Sequence, residues 1–155
     1  MKVLDLDDDA VLSEIAGHTF LFVGGPHRGG TTLLWKCLRA HPSVGGFPDR
    51  VGADYSEGIF LQSVYPTFGI GGEAAHGAHG KAAAGRGMST QGLGRYAFDP
   101  ESHLTETSEL ATDEARTRLF NEWGFFWDLK KPFLLEKSPP NMMISRFLQR
   151  LFTAP

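Results

Sequence analysis

A single cysteine, Cys37, is present in the 155 residues, so no intramolecular disulfide can form. It lies among apolar neighbours in a predicted helix, where a small buried core side chain is expected. No apolar run approaches the ~20 residues needed to cross a membrane. The stretch Met1–Ala10 is rich in aspartate and carries no apolar signal-peptide core. A cytoplasmic protein is therefore expected, or a Golgi one if an anchor lies upstream. Basic residues are not in excess: 15 Lys and Arg stand against 18 Asp and Glu, a net charge of −3. With a pI near 6.0, nucleic acid is not an expected partner. Residues 69–94 carry only two large aliphatics, Ile70 and Leu93, and hold nine of the chain's 19 glycines. Such a stretch buries too little apolar surface to offset its ordering entropy, and a flexible loop is expected. His76 and His79 fall within it, but their spacing brings no third ligand, and no metal is expected.

What the sequence does have is concentrated in Phe20-Leu21-Phe22-Val23-Gly24-Gly25-Pro26-His27-Arg28-Gly29-Gly30-Thr31-Thr32-Leu33-Leu34. A short apolar strand runs into a glycine-rich turn and then into a helix starting at the threonines. That order aims backbone N–H groups and the positive end of a helix dipole at one point. The glycines let the backbone approach an anion without Cβ atoms in the way. The segment nearly fits G-x-x-x-x-G-K-[ST], with Gly25, Gly30 and Thr32 in place, but Thr31 stands where that pattern has lysine. The nearest cation is Arg28, inside the loop. A tight strand-to-helix turn without a ligand is the plain alternative.

Around this loop, residues 1–17 read as an acidic lead-in with a short helical turn through Val11, Leu12 and Ile15. The helix Thr31–Ala40 puts Leu34, Cys37, Leu38 and His41 on one face and stops at Pro42. Residues 42–55 are turn-rich, and a second, shorter helix is predicted from about Ser56 to Val64, with Ile59 and Phe60 inward. From Thr112, Leu119, Phe120, Trp123, Phe126 and Trp127 follow a broad helical face, either core or the wall of an acceptor pocket. Phe133-Leu134-Leu135-Glu136 is a strand of the fully buried type. It leads into Lys137-Ser138-Pro139-Pro140 and a helix with Met143, Ile144, Phe147, Leu148 and Leu151 on one face. Strand, helix, helix, strand, helix implies an α/β fold with a central parallel sheet. In such a sheet ligands lie beyond the carboxyl ends of the strands, where Arg28 and Lys137 are expected to converge. Lys137 also reads as an ordinary solvated strand-end lysine, and Glu136 carries no assigned chemistry.

The loop, with its cation before the glycine, resembles the 5′-phosphosulfate loop P-[RK]-[ST]-G-T-[ST] of sulfotransferases. Arg28 falls on the family's cation and Gly29 on its usual serine, so one hydroxyl contact to the donor is absent. Glu136-Lys137-Ser138-Pro139-Pro140 resembles the second element of the family, in its tyrosylprotein sulfotransferase-like branch. The resemblance covers roughly residues 18–155. It implies a P-loop NTPase-like three-layer sandwich, truncated at the C-terminus, and 3′-phosphoadenosine-5′-phosphosulfate as co-substrate without a metal. It assigns the donor's phosphosulfate to Arg28, Gly29, Gly30, Thr31 and Thr32, and charge neutralisation on the sulfuryl group to Lys137. The base that takes the acceptor's proton is Glu57, with Asp54 as second choice. Glu57 after Ser56 equally suits the first turn of a helix. The acceptor is a hydroxyl or amine of a small molecule, a glycan or a protein tyrosine. The residues that hold the donor's 3′-phosphate in that family lie beyond a helix end like Phe152-Thr153-Ala154-Pro155, so a fragment or a shortened protein is expected. A P-loop nucleoside or small-molecule kinase is the rival enzyme, but it requires lysine at position 31 and an aspartate at the second strand end. A non-catalytic remnant is the other alternative.

Overall fold

The computed structural model describes residues 3–48, 56–67, 97 and 100–153. The expected loop 69–94, Asp54, His76 and His79 lie outside these residues. In chain order the elements are α1 (Asp8–Gly17), β1 (Thr19–Val23), α2 (Thr31–Arg39), β2 (Val44–Gly46), α3 (Asp113–Gly124), β3 (Phe133–Lys137) and α4 (Ser145–Phe152). Single 3-10 turns occupy Gly58–Phe60, Pro100–Ser102 and Pro139–Met142. The fold is mixed α/β, and the three strands form a small open parallel sheet in the order β1-β3-β2. Among the described residues no helix is long and apolar enough to cross a membrane.

β3 is central because it is the strand without a solvent face. Leu134, Leu135, Glu136 and Lys137 are all buried, the burial expected of a strand covered on both sides. Alternation sends Leu134 into a core with Phe120, Trp123, Phe147, Leu148 and Leu151, drawn from α3 and α4. Leu135 goes to the other side, with Val23, Val44 and Trp35 of α2. The first core is bound together by rings: Phe152 stacks on Trp123 at 5.7 Å and meets Phe20 at 4.8 Å. The aromatic face of residues 119–127 is therefore core, and its polar edges are used too. Trp127 Nε1 donates to the Leu135 carbonyl at 3.0 Å.

Register decides where the site can form. β1 and β3 pair from Thr19↔Phe133 to Val23↔Lys137, so both strands end at the same level. The loops after Val23 and after Lys137 thus leave the sheet side by side.

Four local expectations change. Residues 3–17 hold a ten-residue helix that belongs to the main core: Val11 is fully buried and Ile15 nearly so. Asp7 caps it, and Asn121 of α3 ties down the preceding chain by accepting from the N–H groups of Leu4 and Leu6, both at 2.9 Å. On α2 the buried residue is Trp35, while Leu34 and Cys37 are exposed. Two stripes compete on that helix, and the one carrying the indole removes more apolar area from water. Residues 56–64 form one 3-10 turn rather than a helix. The Gln62 carboxamide accepts from the N–H groups of Val64 and Tyr65 and donates to the carbonyls of Ile59 and Tyr65. A buried side chain there satisfies backbone groups that a helix would otherwise pair. Finally, β2 lies in the segment read as turn, because two of its three residues are glycines.

Candidate functional site

The first part of the site is built from backbone. After Val23 the chain lies against the turn that follows β3: Gly25 N–H donates to the Pro139 carbonyl at 3.1 Å, and Ser138 N–H to that of Val23 at 3.2 Å. Gly29 N–H closes the loop on the Pro26 carbonyl at 2.9 Å. Gly30 precedes α2 with φ +87°, a left-handed conformation that favours glycine, and no side chain caps the helix. The first intrahelical bond runs from Leu34 N–H to Gly30 at 3.0 Å. The N–H groups of Thr31, Thr32 and Leu33 therefore have no acceptor within their helix, and the dipole adds positive potential there. Arg28 has φ +65°, a conformation that disfavours an L-residue by about 1–2 kcal/mol. Its side chain is exposed and has no hydrogen bond or ion pair among the described residues.

The second part is built from buried side chains. Lys137 is 4 % exposed and Glu57 8 %, and the lysine ammonium donates to Glu57 Oε1. The Lys137 Nζ lies 6.0 Å from the centre of the Trp35 ring, within range of a cation–π attraction. Lys137 is therefore not a solvated strand end. Nor is Glu57 a helix cap: it precedes a 3-10 turn to which its side chain makes no capping bond, and its carboxylate is turned to the lysine.

One residue earlier in β3, Glu136 is fully buried. Its Oε1 accepts from Gly58 N–H at 2.7 Å and from the Ser138 hydroxyl at 2.6 Å; its Oε2 accepts from the Asn141 amide at 2.5 Å. Burial pushes its pKa up to about 7, against the three hydrogen bonds from Ser138, Asn141 and Gly58; the nearby charge of Glu57 adds to the rise. Ser138 Oγ in turn accepts from Ile59 N–H at 3.1 Å, and Trp123 Nε1 donates to the Gly58 carbonyl at 3.0 Å. The Tyr65 phenol is pushed well above its ordinary range, first by burial and then by the charges of Glu136 and Glu122.

Of the residues singled out in the sequence, Glu57 and Lys137 are in contact. Gly29, Gly30, Thr31 and Thr32 stand at the end of the neighbouring strand, and Arg28 bonds to neither Glu57 nor Lys137. Sequence reasoning missed Trp35 beneath Lys137 and the partners of Glu136. The signal for the latter was an acid inside an apolar strand, which is rarely buried without donors. Among the described residues no group of three His, Cys, Asp or Glu side chains is placed to hold a metal ion. A hollow of about 600 Å³ follows the outer edge of β1, lined by Phe20, Phe22, Gly24 and Asn141 but not by Arg28, Glu57 or Lys137. Chemically, the strand ends combine N–H groups without intrahelical acceptors, an exposed guanidinium, a buried ammonium and the carboxylate paired with it. Compared with models of known protein families, with curated proteins and with solved structures, the chain matches none.

Proposed function

We propose that the chain carries the donor loop and the acid–base pair of a sulfotransferase, acting on 3′-phosphoadenosine-5′-phosphosulfate. The observation that carries this reading is the buried Glu57–Lys137 pair at the end of β3, beside a glycine loop whose cation is Arg28. In this mechanism the loop N–H groups and Arg28 hold the 5′-phosphosulfate. The acceptor oxygen or nitrogen attacks sulfur in line with the bridging phosphate oxygen; the new bond to sulfur forms as the sulfur–oxygen bond breaks. Glu57 takes the acceptor's proton, and the leaving group departs as 3′-phosphoadenosine-5′-phosphate. Lys137 meets the charge on the sulfuryl oxygens; with three N–H donors it can bind them while still holding Glu57. The acceptor is a hydroxyl or amine of a small molecule, glycan or protein tyrosine.

The loop chemistry separates this reading from a kinase. With Thr31 in the lysine position, adenosine triphosphate and magnesium lack the group that grips their outer phosphates. In a thermal-shift titration, 3′-phosphoadenosine-5′-phosphate should raise the melting temperature more than ATP with magnesium does. At one hundred times its Kd, a ligand adds about 2.7 kcal/mol of stability. The opposite order would favour a kinase, and no shift with either ligand would favour a non-catalytic remnant.

A further inference from the structure

We infer that Glu136 is a positioning residue: it pins the Glu57–Ile59 segment across the end of β3 and thereby sets Glu57 against Lys137. Its catalytic consequence rests on the sulfuryl-transfer reading; the placement itself does not. Consecutive residues of a strand point to opposite faces, so Glu136 and Lys137 project to opposite sides of the sheet. Glu57 and Gly58 are also consecutive, and each meets one of them: Glu57 pairs with Lys137, and Gly58 N–H donates to Glu136. The crossing segment is therefore clamped on both faces of the same strand end.

The clamp needs an acceptor oxygen facing a glycine. A Cβ at position 58 would lie 2.7 Å from Glu136 Oε1 and 2.8 Å from its Cδ, so no larger residue fits without moving one of the two. Glu136 also holds Ser138, whose oxygen takes the next N–H, that of Ile59. A strand that otherwise reads Phe133-Leu134-Leu135 would fill this volume with another aliphatic residue if packing were the only need. Burying a carboxyl instead is unfavourable unless its hydrogen bonds are made, and here three of them are. A base displaced by about 1 Å can lose on the order of 100-fold in rate, which is why its backbone needs such a tether.

Two variants of the whole chain separate positioning from filling. Glu136→Gln keeps an acceptor oxygen for Gly58 N–H, and its amide can donate to Asn141 Oδ1, which has no partner among the described residues. It should retain at least a third of kcat. Glu136→Leu keeps the volume but removes the acceptor; kcat should fall at least tenfold while the donor's KM stays within twofold. Wild-type kcat in the folded fraction of Glu136→Leu, or equal losses in both variants, would overturn the assignment. A second measurement needs no activity. In thermal melts, the losses from Glu57→Gln and Lys137→Met should be non-additive in the wild type, because the two groups are paired, and additive in the Glu136→Leu background. Non-additivity that persists there would refute the clamp. If Glu136→Leu does not fold, Gly58→Ala replaces it, since its methyl group meets the carboxylate; the same losses of kcat and of coupling are expected. A wild type that transfers no sulfuryl group would remove the preceding proposal, while the melting cycle would still decide this one.

Discussion

The two strand ends meet at one level of the sheet and are built on opposite principles. After β1, the loop from Gly24 to Gly30 uses main-chain groups, carries an exposed arginine in a left-handed conformation, and leaves the first N–H groups of α2 without intrahelical acceptors. At the end of β3, the two charged side chains are buried and bonded: Lys137 to Glu57, Glu136 to Gly58, Ser138 and Asn141. The first arrangement gives up local stability and leaves donors uncommitted, as the proposed anion site requires. The second binds its charges to one another, so geometry there is set by the fold itself. On the proposed reading, a binding surface and an acid–base pair need these different kinds of order, and a parallel register places the two strand ends side by side.

The contrast is broken most severely at Lys137. Lys137→Met leaves Glu57 buried without its cation, a change that typically costs about 3–5 kcal/mol of stability. Under the proposed sulfuryl transfer it also removes a stabiliser of the transferring group, with kcat expected to fall on the order of 100- to 1,000-fold. Urea unfolding and steady-state kinetics read the two effects separately. A stability loss below about 1 kcal/mol would mean that the pair behaves as a solvated surface bridge.

Next in size is the pH response of the buried side. Glu136 has a pKa of about 7 in the folded chain against 4.5 for the free group. Between these values the folded state binds more protons than the unfolded one, so its contribution is fully present below 4.5 and is lost as pH rises through 7. The difference amounts to about 3 kcal/mol for a shift of this size. Relative to Glu136→Gln, which does not titrate, the wild type should lose stability on that order between pH 4.5 and 8. Parallel stability curves for the two proteins would show that Glu136 is not desolvated.

The smallest effect sharpens the open side. Arg28→Gly relieves a left-handed arginine and should stabilise the fold by about 1 kcal/mol. The same change removes a cation from the loop and should weaken 3′-phosphoadenosine-5′-phosphate about tenfold, the size of one charge-assisted hydrogen bond. Opposite signs for stability and binding are what distinguish this loop from the β3 end, where both fall together. Calorimetric titration beside thermal melts tests the pair of signs.

Much of this was legible in the residues, and what was not has identifiable causes. The strand–glycine–helix segment, the apolar strand at 133–136 and the aromatic face of residues 119–127 are local patterns, each written within a few residues. The local pattern at residues 56–64 predicts a helix, because the partners that fix the turn at Gly58–Phe60, Glu136 and Ser138, lie 78 and 79 residues away in sequence. Cys37 was expected in the core because two helical stripes overlap on α2, and only packing on β3 selects the one with Trp35.

By itself the sequence determined the α/β alternation, the place of the glycine loop between β1 and α2 and the one arginine within it, because periodicity and backbone permissiveness act over short spans. Only the tertiary structure decided that Glu57 faces Lys137, that Glu136 faces Gly58, and that both charges of the pair leave water. Those facts depend on parallel register and on burial from both faces of β3, which no local stretch of chain encodes.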